Sequence, residues 1–428
     1  MKASAGRVLM LVENCFPADT RVRNEAATLT ENGFKVCVIA LRGAGEKSRE
    51  VVNGVTVYRI PRLTVFAKLP GGTHSRLRAL LNKALVVIGY FTEYAYFTSG
   101  CLALSLYIAL REGFDVIHAH NPPDTLFVVG ALHKVFRKKF VFDHHDLSAE
   151  LYLSRYKKTE DGLVTRGLKL LEKLSTRLAD VVIATNESYR AIDIRRNGID
   201  PENVFVVRNG PDLKRVRAVE PDRRLRSTGL TILGYVGAMN PQDGVDHLLR
   251  ALSHLVRDLK RTDFFCVLIG DGDSRQALEA EAAALGLTDH VLFTGFIPDQ
   301  DLMRYLSTTD ICLDPNPSSP LNDVSTWIKV MEYMALGKPI ISFDLKETRT
   351  SAADAALYVT PNNEAEFAAD IAQLIDSPAK RRAMGEYGKM RVQSELGWHV
   401  TSLNLVKAYK HMFAVVHDRG VGRAAAIL

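Results

Sequence analysis

The chain has 428 residues, of which 47% are hydrophobic and 24% charged, with a formal net charge of +6. It is too long for one small core, and its ordinary composition excludes a low-complexity or solenoid chain. The five cysteines are scattered and lack a C-x-x-C pair, which favours reduced thiols over a disulfide framework or a zinc site. No signal peptide is recognisable. We therefore expect a cytoplasmic protein of two large domains.

Short β-branched runs alternate with helical stretches through the first half of the chain. Because these runs end in polar or turn residues, they predict parallel strands buried on both faces of a doubly wound sheet. The helices are clearest at 20–33, where Asp19 can act as the cap, and at 163–180. The predicted strands are 8–12, 35–40, 55–60, 115–120, 139–145, 179–186 and 203–210.

A long apolar segment at 84–110 contains Glu93 as its only charge and has three interpretations. It is a buried helix, or a pair of helices broken near Ser99 and Gly100; it is a surface helix lying in lipid headgroups; or it spans a membrane. The second interpretation draws on the basic residues before it and predicts peripheral contact with the inner membrane surface through 62–110. Those basic residues are Arg62, Lys68, Arg76, Arg78 and Lys83.

The second half of the chain restarts the alternation after a charged stretch at 212–229, which we interpret as a linker without apolar periodicity. The strands predicted beyond it are 231–237, 264–272, 290–296, 310–315, 338–344 and 355–359. The whole pattern predicts two doubly wound Rossmann-like α/β domains facing a central cleft, with ligands at the strand ends. The predicted divisions are a first domain at 1–211, the linker, a second domain at 230–395, and a C-terminal helix with tail at 396–428 that returns to the first domain.

A glycine-containing turn at 270–286 leaves one of these strands and starts a helix. Its glycines would let backbone N–H groups approach a phosphate or a ribose. Asp273 is expected to cap the helix, with Gln276 completing a capping box. A metal-binding acidic pair at Asp271 and Asp273 is the alternative.

A second helix is predicted from Ser325 and Thr326 to Leu336, with Asp323 or Ser325 as its cap and Gly337 as its stop. Its expected apolar stripe is Val324, Ile328, Met331 and Ala335. Lys329 and Glu332 share a different face, where a carboxylate suits a ribose diol and an ammonium suits a diphosphate. An exposed i,i+3 ion pair explains the same spacing, and spacing alone does not decide between the two.

Motifs along about residues 7–415 resemble, in order and spacing, the retaining glycosyltransferases of family four, which have the GT-B fold. The motifs are FPADTRVRNEAATLTENGFKV, DVIHAHNPPDT, DHHDLS, ADVVIATNES, VRNGPD, GYVGAMNPQDGVDHLLRAL, VLIGDGD, VLFTGFI and VMEYMALGKPIIS. The resemblance implies transfer of a sugar from a nucleoside-diphosphate sugar, UDP-sugar before GDP-sugar, to a saccharide acceptor. The basic, apolar first domain favours a lipid-linked acceptor, as in surface polysaccharide assembly.

On the donor side, the resemblance implies that Glu332 holds the nucleotide ribose. Backbone groups at Phe296 and Ile297 would contact the base, and Lys329 with the predicted helix start at Ser325 and Thr326 would contact the diphosphate. The glycine loops at the strand ends would lie against the nucleotide, through Gly237, Gly270, Asp271 and Gly272.

On the acceptor side, the resemblance places His145 beside the transferred sugar, with His144 as the less favoured alternative. The other residues expected around the acceptor are His120, Asn121 and Asp146, with Arg21 for an anionic group. The sequence also leaves open a metal site formed by His118, His120, His144, His145, Asp143 and Asp146.

Three of the departures from the family concern the donor site. Ala238 and Asp243 stand where many members carry the Arg and Lys that grip the diphosphate, and Val324 replaces the first acid of the paired-glutamate motif. We therefore expect Lys329, the helix start, and Lys346 or Arg349 to supply the phosphate charge.

The mechanism implied by the resemblance is electrostatic stabilisation of the leaving nucleotide, with retention at the anomeric carbon. It needs no cofactor and no dedicated metal, and the sequence indicates no nucleic acid partner. Two alternatives stay open: a nucleotide-sugar-binding or assembly partner that has lost turnover, and a nucleotide-sugar epimerase of the same fold.

Overall fold

A computed structural model describes residues 5–63, 76–155 and 162–424, which divide into two compact units. Residues 5–149, 162–207 and 402–424 belong to the first unit, and residues 150–155 and 208–401 belong to the second. Lys68, one of the predicted membrane-contact residues, lies outside the described residues, as does the end of the tail at 425–428.

The first unit contains an eight-stranded sheet in the order β3-β4-β2-β1-β5-β6-β7-β8, parallel except for the edge strand β3. Its order reverses at β1, which lies between β2 and β5. The elements from this half of the chain are β1 Gly6–Cys15, α1 Thr20–Glu31, β2 Phe34–Leu41, β3 Arg49–Val52, β4 Val55–Ile60, α2 Arg76–Arg111, β5 Val116–His120, α3 Phe127–Lys134, β6 Lys139–His144, α4 Ser148–Arg155, α5 Leu163–Leu178, β7 Val181–Ala184, α6 Glu187–Arg195 and β8 Val204–Val206.

The second half of the chain forms a six-stranded parallel sheet in the order β11-β10-β9-β12-β13-β14, which reverses at β9. The elements are α7 Arg223–Ser227, β9 Thr231–Val236, α8 Val245–Arg257, β10 Phe264–Ile269, α9 Arg275–Ala284, β11 Val291–Gly295, α10 Asp299–Thr308, β12 Ile311–Asp314, α11 Ile328–Ala335, β13 Ile340–Phe343, α12 Lys346–Ala352, β14 Ala356–Val359, α13 Glu364–Ile375, α14 Pro378–Arg391 and α15 Trp398–Ala424.

The predicted fold class, two doubly wound α/β domains, is confirmed. Every predicted strand is present, because each apolar run is buried between helices on both faces of its sheet. In β9, for example, Ile232 packs into one core cluster while Leu233 and Tyr235 pack into the other. The sequence analysis missed β3, a short and half-exposed strand that pairs antiparallel with β4.

The apolar segment predicted at 84–110 lies within the single helix α2. The predicted break near Ser99 and Gly100 is wrong, because Gly100 serves close packing: a Cβ there would lie 2.7 Å from Ile60 Cδ1. One face of α2 is buried through Phe97, Cys101 and Ile108, whereas another leaves large apolar side chains in solvent. The exposed ones include Leu85, Ile88, Phe91, Leu106 and Leu110.

Among residues 5–63, 76–155 and 162–424, no helix combines the length and the apolar character needed to cross a membrane.

The stretch predicted as a linker at 212–229 is part of the second unit. It contains the short helix α7, which Asp222 caps by accepting from Arg224 N and Leu225 N. Val216 is 2% exposed and packs into a core cluster with Met331 and Met334. A few apolar side chains therefore anchor this charged stretch to the second unit, although the stretch has no apolar periodicity.

Candidate functional site

In the first unit, polar side chains meet at the ends of β5 and β6 around the buried carboxylate of Asp143. Arg21 Nε and Nη2, from α1, donate to its two oxygens, each at 2.6 Å. His120 Nδ1 lies 2.8 Å from Asp143 Oδ2, and His145 Nδ1 lies 3.2 Å from the same oxygen. Burial opposes the charge, but Arg21 and the two imidazoles hold the pKa of Asp143 well below its usual range. We call Arg21, Glu25, His118, His120, Asp143 and His145 the histidine–aspartate cluster.

Glu25 is the second buried carboxyl group of this cluster. Its Oε1 lies 3.2 Å from Arg21 Nη2, and its Oε2 lies 3.6 Å from His118 Nε2. Burial and the nearby charge of Asp143 raise the pKa of Glu25 well above its usual value, and the charge of Arg21 opposes the rise. The Arg21 guanidinium thus lies between the two buried carboxyl groups of Asp143 and Glu25.

The metal alternative has a geometric basis in four of these side chains. Ligand-type atoms of Glu25, His118, His120 and Asp143 all lie within 4.8 Å of one another. However, the Arg21 guanidinium already binds both oxygens of Asp143, and it would repel a cation placed between them.

Two acceptor-side predictions change because their side chains are buried. Arg21 is 5% exposed and its guanidinium is used by Asp143, Glu25 and the carbonyl of Val207, so the prediction that it binds an anionic acceptor is wrong. His120 is 0% exposed and supports Asp143 rather than lining a pocket. His145 is the cluster member with solvent access, its side chain being 17% exposed.

His144 faces the opposite side of the sheet, because successive residues of a strand alternate. Its Nδ1 lies 2.8 Å from Asp193 Oδ1, and its Nε2 lies 3.8 Å from Glu172 Oε2. Burial opposes protonation, but the charges of Asp193 and Glu172 raise the pKa of His144 to about 10. The prediction that His144 binds acceptor is therefore wrong, because it is a buried member of a structural ion cluster.

Asn121 positions the turn that carries His145. Its Oδ1 accepts from the backbone N–H groups of His145 at 2.9 Å and Asp146 at 3.1 Å, and its Nδ2 donates to Asp146 O at 2.7 Å. With its amide used in this way, Asn121 supports the site instead of contacting the acceptor directly. Asp146 is half-buried, and burial raises the pKa of its carboxyl.

Sequence reasoning missed Glu13, at the carboxyl end of β1. Burial and the charge of Glu93 raise the pKa of Glu13 to about 7, against the opposing charge of Arg62. The available signal was an acidic residue placed directly after the apolar run 8–12. A carboxyl that titrates near neutral pH at a strand end is a candidate functional group.

In the second unit, the sheet order reverses at β9, between β10 and β12, and open α/β sheets bind ligands at such a point. The loops after β9 and β10 pack directly on each other there. A Cβ on Gly270, whose φ is 136°, would lie 1.9 Å from Gly237 O, and one on Gly272 would lie 2.6 Å from Met239 O. These glycines thus permit loop packing, and their contact with a nucleotide stays a prediction, as does that of Asp271.

The capping box predicted at the start of α9 is wrong. The helix begins at Arg275 after Ser274, and no side chain caps it. Asp273 instead lies in the packed loop, where its backbone N–H donates to Asn240 Oδ1 at 3.3 Å.

The helix predicted from Ser325 begins three residues later, at Ile328. Ser325 is extended, because its Oγ donates to Leu321 O at 2.8 Å in the turn that precedes the helix. Thr326 Oγ1 donates to Glu347 Oε2 at 3.5 Å. Both hydroxyls therefore have protein partners, and the helix start predicted to bind phosphate at these residues is wrong.

The end of α11 is confirmed, since Ala335 is its last residue and Gly337 follows with φ 67°. Its predicted apolar stripe is confirmed at Met331 and Ala335, which pack in the core, and is wrong at Ile328. Ile328 is 37% exposed, and the buried apolar residues are Val330, Met331, Tyr333 and Met334.

Lys329 is buried, so the alternative of an exposed Lys–Glu pair is also wrong. Its Nζ donates to Asn316 Oδ1 at 2.5 Å and lies 3.0 Å from Asp314 Oδ1 at the end of β12. The ammonium also lies over the ring of Tyr235, 4.7 Å from the centroid. Lys329 is 9% exposed and Asp314 is 0% exposed.

Glu332 is 7% exposed and pairs with Arg215 instead of Lys329. The guanidinium Nη2 of Arg215 donates to Glu332 Oε1, and its Nη1 donates to Asp299 Oδ1 at 3.0 Å. Burial raises the pKa of Glu332, and Arg215 limits the rise. Oε2 of Glu332 makes no hydrogen bond within the described ranges, so it is available as an acceptor.

The loop between β11 and α10 carries the residues predicted to contact a base. Phe296 is 88% exposed, whereas Ile297 packs against the core cluster that contains Val330 and Met331. Asp299, at the start of α10, connects this loop to Glu332 through Arg215. The loop predicted to contact the base is therefore linked to Glu332 through Asp299 and Arg215.

The positions that depart from the family carry no cation. Ala238 is exposed, and Asp243 is a buried carboxyl whose pKa is raised by burial against the charge of Lys329. Of the predicted substitutes, Arg349 is bound to both oxygens of Asp344, at 2.6 and 2.7 Å. Lys346 is exposed and makes no ion pair among the described residues.

Two family models match consecutive parts of the chain. Residues 18–210 match a glycosyl transferase 4-like domain, and residues 217–391 match the glycosyl transferases group 1. Among curated relatives, the uncharacterized glycosyltransferase MJ1607 of Methanocaldococcus jannaschii is 23% identical, over 90% of this chain and 92% of that protein. The 2-deoxystreptamine glucosyltransferase of Streptomyces kanamyceticus is 27% identical over 53% of this chain, which spans only 56% of that protein's length.

Solved structures show the same fold. Sucrose-phosphate synthase from Thermosynechococcus elongatus has a TM-score of 0.73 at 20% identity, covering 96% of this chain and 99% of that one. Anabaena HepE in complex with UDP and glucose has a TM-score of 0.67 at 16% identity, covering 94% and 99%. Because the two family models together match most of the chain and its fold matches these structures, the chain belongs to the family four glycosyltransferases of the GT-B fold.

Proposed function

We propose that the protein is a retaining glycosyltransferase that moves a hexosyl group from a UDP-sugar to a saccharide acceptor. The observation that carries this proposal is Glu332, a buried carboxylate held by Arg215 with Oε2 available, at the strand ends where open α/β sheets bind ligands. An ionised carboxylate of this kind can accept both hydroxyls of a ribose. The solved structure of HepE in complex with UDP-glucose supports a UDP-sugar as the donor, with a GDP-sugar as the second choice.

The diphosphate is held by Lys329 and Lys346. Lys329 donates to Asn316 and forms an ion pair with Asp314, so its ammonium keeps N–H groups that can donate to a phosphate oxygen. Lys346 is the exposed cation at the start of α12. Uridine lacks the diphosphate, so Lys346→Gln should weaken UDP several-fold and leave uridine affinity unchanged. Equal loss for both ligands would exclude a phosphate contact.

The reaction breaks the bond between the anomeric carbon and the β-phosphate oxygen, and the acceptor oxygen bonds to the same carbon from the same face. The acceptor proton passes to the departing phosphate oxygen. His145 orients and stabilises the transferred sugar, since it is the accessible member of the histidine–aspartate cluster and Asp143 fixes its Nδ1. Its Nε2 is then the atom directed to the substrate.

The acceptor is carried on a lipid in this proposal, and the exposed apolar face of α2 contacts the membrane surface. Leu85, Ile88 and Phe91 recur every third residue on that face, and the basic residues Arg76, Arg78 and Lys83 precede it in the sequence. Co-sedimentation with anionic vesicles measures this contact. Replacing Ile88 and Phe91 with Gln should reduce binding at low salt, whereas unchanged binding would reject this surface.

Calorimetric titration with UDP, GDP and ADP tests the function directly. We expect one nucleotide to bind the wild type and its affinity to fall at least about tenfold in Glu332→Ala. Glu279→Ala is the matched control, since Glu279 is an α9 carboxylate paired with Arg275 on the surface. Absence of binding for all three would favour an assembly partner that has lost donor use.

A further inference from the structure

Arg215 lies outside every motif predicted to bind donor, yet it contacts the central donor residue. The turn that contains it is closed by Arg215 N and Val216 N, which donate to Asp212 O at 3.0 and 2.8 Å. Val216 is buried in the cluster that includes Met331 and Met334 of α11. This anchor fixes the turn against the helix that carries Glu332.

We propose that Arg215 is a positioning residue for donor binding, which holds the Glu332 carboxylate ionised and aimed while it ties α11 to α10. The inference rests on the proposed role of Glu332 toward ribose. One guanidinium edge serves Glu332 Oε1 and another serves Asp299 Oδ1, so rotation of either carboxylate breaks a hydrogen bond. Glu332 Oε2 is left to the ligand.

The electrostatic surroundings make this pairing necessary. Glu332 is buried, and the charged groups that act on it are Arg215 from the turn and Asp299 from α10. The other charged side chain of α11, Lys329, is paired with Asp314 and Asn316, and Met334 lies against Gly388 of α14. Without Arg215, burial and the charge of Asp299 would both favour a protonated Glu332, which accepts fewer hydroxyls.

The test measures UDP affinity from pH 6 to 9 in the wild type, Arg215→Met, Arg215→Lys and Arg226→Met. Arg226 pairs with Asp310 on the same unit and is the matched control. We expect Arg215→Met to bind UDP at least about tenfold more weakly at pH 6.5, and to recover as pH rises because the carboxylate ionises. Arg215→Lys should restore part of the affinity, and Arg226→Met should follow the wild type.

A second measurement on the ligand-free protein separates this inference from the proposed function. Because the folded-state pKa of Glu332 is raised, ionisation of Glu332 destabilises the folded protein as pH rises above its unfolded-state pKa. Arg215→Met should therefore become less stable as pH rises, whereas the double variant Arg215→Met with Glu332→Gln should not. A pH-independent loss of UDP affinity, or identical pH profiles of the single and double variants, would overturn the inference. If the profiles differ but the wild type binds no nucleotide, the proposed function fails and the ion pair stands as structural.

Discussion

The ion pair between Lys329 and Asp314 predicts a large and specific loss of stability in Lys329→Met. Asp314 is 0% exposed, and Oδ1 faces the ammonium at 3.0 Å, while Oδ2 accepts from Ser342 Oγ at 3.1 Å. Removal of the lysine leaves a buried carboxylate with no counter-charge, which costs about 3 kcal/mol, at the low end for buried pairs because Lys329 retains some exposure. For a unit of this size, that corresponds to a fall in Tm of about 6–12 °C.

Circular dichroism melting of two further variants isolates the cause. Lys329→Met with Asp314→Asn removes both charges and keeps a hydrogen-bonding partner for Ser342, so most of the lost Tm should return. Lys338→Met is the matched control, because this half-buried lysine donates to the carbonyls of Ser307 and Thr309 and makes no ion pair within the described ranges. A Tm for Lys329→Met no lower than that of Lys338→Met, or no recovery in the double variant, would refute the electrostatic reasoning.

Three other predictions follow from single side chains. His144 has a folded-state pKa of about 10, above its unfolded value, so its stabilising contribution is complete at pH 6 and is lost as pH rises toward 10. Denaturant titrations at a series of pH values should show this decline in the wild type and a flatter profile in His144→Asn. Gly270→Ala should unfold at clearly lower denaturant, because its Cβ would lie 1.9 Å from Gly237 O at φ 136°, whereas Gly286→Ala, with the same sign of φ and open space, should cost only about 1 kcal/mol. Glu13 has a pKa of about 7, so Glu13→Gln should remove a titration near pH 7 from the profile of kcat/KM, and an unchanged profile would assign it no role in turnover.

The strands and the two-unit fold were predictable because an apolar run buried on both faces is a local signal. The alternation of side chains along β6 also held unused information, since Asp143 and His144 are neighbours in that strand and must face opposite sides of the sheet. The start of α11 was harder to predict from the sequence. Ser325 is a residue type that often caps helices, but here it is extended because its hydroxyl bonds to Leu321 O. Ion-pair and hydrogen-bond partners that lie far apart in the sequence could not be predicted from it. Examples are Asp314 for Lys329, Arg215 for Glu332, and Tyr409, whose Oη lies 3.0 Å from His118 Nδ1.

The histidine–aspartate cluster makes a last prediction about which histidine acts on the sugar. Burial disfavours its charged form, but the hydrogen bond and charge of Asp143 raise the pKa of His145. If the imidazolium stabilises the transferred sugar and its leaving group, kcat/KM should fall on the alkaline side of that pKa, and His145→Gln should lose about 100-fold activity together with the alkaline limb. His120→Gln is the informative comparison, because His120 touches the same Asp143 oxygen but is 0% exposed. His120→Gln should lower stability and retain the alkaline limb. If the limb is lost in His120→Gln but kept in His145→Gln, the role belongs to His120 and the prediction fails.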